Sequence, residues 1–280
     1  MDNNIITDQA VRFFEKHLLE NESSITTVKK YLHDIRYFID YVADRTVDKT
    51  LVLSYKSMLE QNFAIRSANS MLAAINSFFR YNNRHDLCVK QFKVQKDAYC
   101  SEEKELSKAE YHALIKAAEK NKNERISLVV QTICGTGIRV SELQNITYEA
   151  VTRGEAIVSC KGKKRKIFIV NALRKKLLDY AKKHGITGGL IFVTKSGKPI
   201  DRSNIWRQMK ALCQSANVLP EKVFPHNLRH LFARTFYQIE KDIAKLADIL
   251  GHSNINTTRI YIITTGKEHR SHMENMRLIL

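Results

Sequence analysis

Six side chains of types that can handle a phosphate lie in four separate segments of the second half of this sequence. The segment LGHSNINTTRIY, Leu250 to Tyr261, ends in a tyrosine nine residues after His252. Alone, it reads as a helical corner whose tyrosine packs half buried, since tyrosine is amphipathic. The alternative makes Tyr261 a nucleophile and His252 one of its helpers. In TGIRVSEL, Thr136 to Leu143, Gly135 and Gly137 bracket a turn and Arg139 opens a helix, with Glu142 one turn later. An i,i+3 ion pair accounts for the glutamate. It does not account for an arginine at the positive end of a helix, where anions are favoured; a phosphate sharing the site would.

The other two segments are more basic. SCKGKKRK, Ser159 to Lys166, is expected to form a hairpin tip, with Lys163, Lys164, Arg165 and Lys166 solvated and available to phosphates. Lys161 differs, because it ends the first strand and can point back toward the domain. Like charge around it lowers a lysine's pKa, so it could serve as an acid. In PHNLRHLFART, Pro225 opens a helix that puts His226 and Arg229 on one face. His226 and His230 also have the i,i+4 spacing of a zinc pair. The glutamate of a zinc-protease helix is absent, with Asn227 in its place, and the neighbouring arginine would repel a cation. No metal is expected.

Composition narrows the partner. The chain has 280 residues, 44% of them hydrophobic, which suits one large globular domain or two ordinary ones. Of the formal +17, about +2 falls in residues 1–98 and about +15 in the remainder. So large an excess predicts a polyanion, and without a long one-sided basic amphipathic helix nucleic acid is favoured over a membrane. The five cysteines are scattered, with neither a CxxC pair nor ligand-like spacing, which suits a reducing cytoplasm. The first residues carry acids and no long apolar run, so no signal peptide is expected, and no stretch approaches a membrane span.

The elements that must position these residues follow from periodicity. Val28, Leu32, Ile35, Ile39 and Val42 share one helical face, with Lys29, His33 and Arg36 on the other side. IRSANSMLAAINSFFRYN gathers Met71, Leu72, Ile75, Phe78 and Phe79, with Arg66 and Asn69 near its start. Shorter helices over 7–20 and 48–61 complete a four-helix bundle. Lys29, Lys30, Arg36, Arg66 and Asn69 are its candidate DNA contacts. The charged, aperiodic stretch 88–105 is a linker, giving an N-terminal domain 1–90, a linker 91–105, a second domain 106–265 and a tail 266–280. Ser107 and Glu110 form a capping box for the next helix, and RISLVVQTICG is a buried one. EAIVSC and KIFIV then flank KGKKR as a hairpin, and LIFVT is a further strand before the basic turn KSGKPI, with Lys198 and Arg202 as candidate DNA contacts. The fold class is mainly α: a bundle, then a mixed α+β domain with a small antiparallel sheet.

TGIRVSEL, KGKKRK, PHNLRHLFA and LGHSNINTTRIY together, in this order and spacing, resemble the tyrosine recombinases, the DNA strand-exchange family that includes phage integrases and the Xer type. The resemblance covers about 105–265, and the N-terminal bundle is similar to that family's SAM-like core-binding domain by length and pattern. It implies that Tyr261 attacks a phosphodiester to give a 3′-phosphotyrosine. Arg139 and Arg229 then bind the non-bridging oxygens, Lys161 protonates the leaving 5′-oxygen, and His226 serves as base or hydrogen-bond partner. His252 donates to the phosphate and Glu142 supports the cluster. It implies double-stranded DNA as partner, a tetramer on two sites, no cofactor, and a tail that packs on a neighbouring protomer. No arm-site domain of the larger integrases is expected, so a simple core-site system for integration, excision or inversion fits. A type IB topoisomerase and a silent DNA-binding accessory protein remain the alternatives; the intact set of six counts against the second.

Overall fold

Side-chain caps set where most of the N-terminal helices begin. Thr7 accepts from the Ala10 amide ahead of α1 (Asp8–Glu20), Ser24 from Thr27 ahead of α2 (Ile25–Val42), and Asp48 from Leu51 ahead of α3 (Lys49–Asn62). Each such cap contributes about 1 kcal/mol. The fourth helix, α4 (Ile65–Tyr81), starts without one and is held by its apolar face. This computed structural model describes residues 7–43, 45–94, 104–160, 163–194, 196–261 and 274–276. The chain divides into two units, 1–96 and 97–280.

In the first unit the anticipated stripes face inward. Val28, Leu32, Ile35 and Val42 of α2 are buried, Ile39 half-buried, and all five apolar residues named on α4 are buried. Aromatic edges fill the centre, with Phe14 against Phe78 and Phe38 against Phe79. Lys29, Arg36 and Arg66 are exposed, and Lys30 pairs with the buried Asp34 one turn on. Asn69, a candidate DNA contact, also has a structural role. Its side chain accepts from the Phe92 amide at 2.7 Å and donates to the Phe92 carbonyl at 2.9 Å. Two turns along α4, Asn76 does the same with Val89, at 2.9 and 2.8 Å. Both amides therefore hold the departing chain as a strand partner would.

The second unit opens with α5 (Lys108–Lys120), whose Ser107–Glu110 capping box is formed on both sides. Behind it α6 (Glu124–Thr136) is buried on most of its surface and ends at Gly137 in the left-handed conformation, φ +67°. A 3-10 turn (Val140–Asn145) and α7 (Tyr148–Arg153) lead into β1 (Glu155–Cys160) and β2 (Lys163–Phe168). These pair antiparallel, Val158 opposite Arg165 and Ala156 opposite Ile167. The rest is helical: α8 (Asn171–Lys183), α9 (Arg202–Ala211), α10 (Cys213–Ala216), α11 (Pro225–Glu240), α12 (Ile243–Leu250) and α13 (Ile255–Arg259). Among the described residues no helix is long and apolar enough to cross a membrane.

Two expectations for the sheet need correction. LIFVT is not a strand; only isolated bridges involve it, Leu190 with Thr147 and Val193 with Pro199. Its apolar residues Ile191 and Phe192 are buried in the core, so the run signalled burial and not pairing. The hairpin is also tighter than expected, because Lys163, Lys164 and Arg165 belong to β2 and not to the tip.

Gly137 fixes the turn into the site. A Cβ there would lie 2.4 Å from the Phe232 ring, in a backbone conformation that L-residues rarely adopt. Gly137→Ala is expected to cost about 1–3 kcal/mol of stability and to shift the carbonyl that Arg229 binds. Thermal melting alongside DNA cleavage checks both effects.

Candidate active site

The helix α11 carries three of the polar residues on one face, and Pro225 at its first position presets the entry angle. Arg229 is 1% exposed and ties three segments together. It donates to the Gly137 carbonyl at 2.5 Å and to the Leu250 carbonyl at 2.7 Å, and its Nη2 lies 3.0 Å from His252 Nε2. Burial and the charge of Arg139 pull its pKa below the ordinary value, and contact with Tyr261 pushes the other way.

Glu142 is the counter-charge. Its carboxylate accepts from the Arg139 amide at 2.8 Å and from the Arg139 guanidinium at 3.0 Å. Arg165 grips it as a fork, at 3.0 and 2.7 Å, and also donates to the Ile249 carbonyl. Burial pushes the Glu142 carboxyl up; the hydrogen bonds from Arg165 and Arg139 outweigh it and hold the pKa below the usual range. Gly251, at φ +67°, lets Arg165 through, since a Cβ there would come within 2.8 Å of its guanidinium. Arg165, expected on a solvated tip, is thus an internal strut between Glu142 and α12. The period-two signal was present: Ile169, Ile167 and Arg165 alternate onto the inward face.

Tyr261 is 2% exposed, within three histidines. Its hydroxyl is 3.5 Å from His226 Nε2. Its ring stacks on His252 at 13° and meets His230 at 4.3 Å between centroids. His252 Nε2 faces a guanidinium, which only donates, so Nε2 accepts and Nδ1–H donates to the fully buried Thr258 hydroxyl at 2.9 Å. Thr258, which the sequence did not single out, also accepts the Tyr261 amide at its carbonyl, 3.0 Å away. One residue therefore positions both a histidine and the tyrosine.

All three histidines are held neutral. Partial burial followed by the charge of Arg229 lowers His226 and takes His252 to about 4, and burial with the neighbouring His226 takes His230 to about 4. Their ordinary value is 6.5, so between pH 6.5 and 4 the unfolded chain binds more protons than the folded one. Stability is then complete above pH 6.5 and is lost as pH falls toward 4. His230→Phe, which keeps the ring contact with Tyr261, is expected to make that loss shallower in melts taken across this range.

A cavity of about 810 Å³ opens in front of these groups, lined by Arg139, His226, Arg229, Arg202 and Trp206 among others. Arg202, the first residue of α9, and Lys198, in the turn before it, are exposed. Lys164 is exposed on β2, and Lys166 pairs with Glu155 at 3.0 Å. Lys163 is the first residue of β2. Lys161 and nearly all of the tail 266–280 lie outside the described residues. The structure thus gathers Arg139, Glu142, His226, Arg229, His252 and Tyr261 from three of the four segments, with Arg139, His226 and Arg229 lining the cleft.

Residues 104–268 match the family described as phage integrase, and residues 11–85 match the N-terminal SAM-like domain of phage integrases. Tyrosine recombinase XerA of Pyrococcus furiosus is 26% identical over 283 residues, covering 98% of this chain and 96% of the relative. Tyrosine recombinase XerD of Vibrio cholerae is 27% identical over 284 residues, covering 94% and 92%. Among solved structures, a lambda integrase tetramer bound to a Holliday junction aligns with a TM-score of 0.76 at 18% identity, covering 93% of this chain and 78% of that one. The XerH recombinase bound to its difH substrate aligns at 0.67 and 18%, covering 97% and 90%. At that identity the structural likeness speaks for the fold, while the sequence match spans more than half the chain. This chain belongs to the phage integrase family of tyrosine recombinases.

Proposed function

We propose that the protein is a site-specific DNA recombinase that cuts and rejoins DNA strands through a 3′-phosphotyrosine. The observation that carries this reading is the approach of the Tyr261 hydroxyl, at 3.5 Å, to His226, which lines a cleft together with Arg139 and Arg229. Tyr261 Oη attacks phosphorus, its proton passes to His226, and the bond to the 5′-oxygen breaks. A free tyrosine has a pKa of about 10, so it needs such an acceptor, and a neutral histidine is able to serve. Arg139 and Arg229 offset the charge that develops on the non-bridging oxygens. Lys161, from its sequence position at the end of β1, delivers the proton to the departing 5′-oxygen. Glu142 holds Arg139 and does not touch DNA.

His252 needs one adjustment. In the free protein its Nε2 accepts from Arg229, so it donates to a phosphate only after gaining a proton there. An incoming phosphodiester favours that proton by adding negative charge beside the ring. No step draws on a metal or on ATP, because the phosphotyrosine conserves the broken bond for religation.

The bundle 1–90 is the core-binding domain, with Lys29, Lys30, Arg36 and Arg66 toward DNA; Lys163, Lys164, Lys198 and Arg202 add phosphate contacts from the catalytic domain. The working unit is a tetramer on two DNA sites, with the tail 266–280 exchanged between protomers, acting in the cytoplasm. Lambda integrase, whose fold this chain shares, has been solved as a tetramer on a Holliday junction.

Covalent capture tests the reading without knowledge of the site. The protein is incubated with a library of randomised duplexes, each nicked so that the short 5′-hydroxyl product diffuses away. The expected result is a DNA adduct stable in SDS and mapping to Tyr261, and recombinant product from two copies of the recovered site. Absence of any adduct overturns it; adduct with relaxation but no exchange points to a topoisomerase.

A further inference from the structure

Trp206 is 50% exposed on the wall of the cleft that holds Arg139 and Arg229. The other strongly exposed apolar residues of this unit, such as Ile157, Phe168 and Ile239, are not among the residues that line it. The placement follows from helix register. Ile205 and Met209 turn α9 into the core, which leaves Arg202 and Trp206, one turn apart, on the cleft side. The Lys210 ammonium lies 5.3 Å from the indole centroid and also donates to the Pro220 carbonyl, so the ring is braced from its own helix. Arg202 is near enough to His226 for its charge to act on that ring.

A phosphodiester in this cleft brings a deoxyribose and a base with it on either side. The arginines and histidines account for the phosphate; none of them offers a flat apolar surface to the nucleoside. Trp206 does, at the mouth of the same cavity, with guanidinium and ammonium groups beside it for flanking phosphates.

We propose that Trp206 is the contact surface for the nucleotide adjoining the scissile phosphate, its indole packing on the deoxyribose and base edge of that nucleotide. Contact there fixes the rotation of the phosphodiester presented to Tyr261 and makes the adjoining base pair one that the protein senses. The proposal rests on the recombinase reading, and the test separates the two.

Trp206 is the only tryptophan in the chain, so its emission reports this contact alone. Tyr261→Phe protein, which stops before cleavage, is titrated with a duplex recovered by covalent capture with the wild type. Indole emission is expected to quench and shift on binding. An abasic spacer at the adjoining nucleotide abolishes the change, while a spacer several pairs outward leaves it. In the wild-type background, Trp206→Ala is expected to raise the DNA concentration for half-maximal adduct about tenfold, and Trp206→Phe to recover most of that loss. Melting curves identify any variant that fails to fold, in which case the emission experiment decides alone. Unchanged emission in a complex seen by gel shift overturns the assignment of Trp206, as does indifference to the adjoining spacer. Failure of the recombinase reading looks different: the wild type then yields no adduct to recover.

Discussion

Tyr261→Phe is expected to eliminate the covalent adduct while leaving a protein that folds and binds DNA. The substitution removes one oxygen, which under the proposed mechanism is the atom that joins phosphorus. No neighbouring group replaces it with a stable linkage, since attack by an imidazole nitrogen would form only a labile phosphoramidate. The ring itself has other work. It stacks on His252 and packs against His230, and phenylalanine keeps both contacts. The lost hydroxyl contact with His226 is 3.5 Å long, at the weak end of hydrogen bonding, so stability should change by about 1 kcal/mol or less. SDS gels, gel shifts and melting curves read the three properties separately. An adduct that persists in this variant would move the nucleophile elsewhere.

Arg229→Lys is expected to damage fold and chemistry together. Two backbone carbonyls and one ring nitrogen face the guanidinium, at 2.5, 2.7 and 3.0 Å. A lysine ammonium is a single point of charge on a flexible stem and cannot reach three acceptors spread over a planar fork. At 1% exposure the abandoned carbonyls have no water to turn to. The expected cost is about 3–5 kcal/mol of stability in the second unit. Cleavage is expected to fall by about 10²–10³ beyond any unfolding, because the phosphate loses a forked donor and His252 loses its orientation. Adduct yield measured well below the variant's own melting temperature separates the two losses.

Much of this was readable in the sequence, for local reasons. Ser107 marks a helix start because its side chain takes up an amide that the helix leaves over. The stripes on α2 and α4 are legible because a bundle core demands a 3.6-residue period. The proposed catalytic set is legible because its residues come in short motifs whose types admit few chemistries. What the local sequence does not reveal depends on contacts that form only in the fold. Nothing local distinguishes Asn69 from any surface asparagine, since its bonds are to Phe92, beyond the end of α4. Arg165 was misread because a basic run conceals which of its members turns inward. Its destiny is decided by Glu142 and Ile249, far along the chain in both directions. Thr258 has meaning only once His252 is folded against it.

The crowding of three arginines, with Arg139 and Arg165 on Glu142 and Arg229 close by, bears on turnover under the proposed function. Two guanidinium groups, those of Arg139 and Arg165, share this one carboxylate, and both raise the electrostatic cost of charging Arg229. Under the proposed function a DNA phosphate supplies these crowded guanidinium groups with further negative charge. Rejoining a strand regenerates a phosphodiester of the same charge as the one that was cut, so the chemistry does nothing to loosen the grip. Under that reading the protein would behave less as a catalyst that cycles than as a part consumed once per event, released only when competing ions or another machine pull the DNA away.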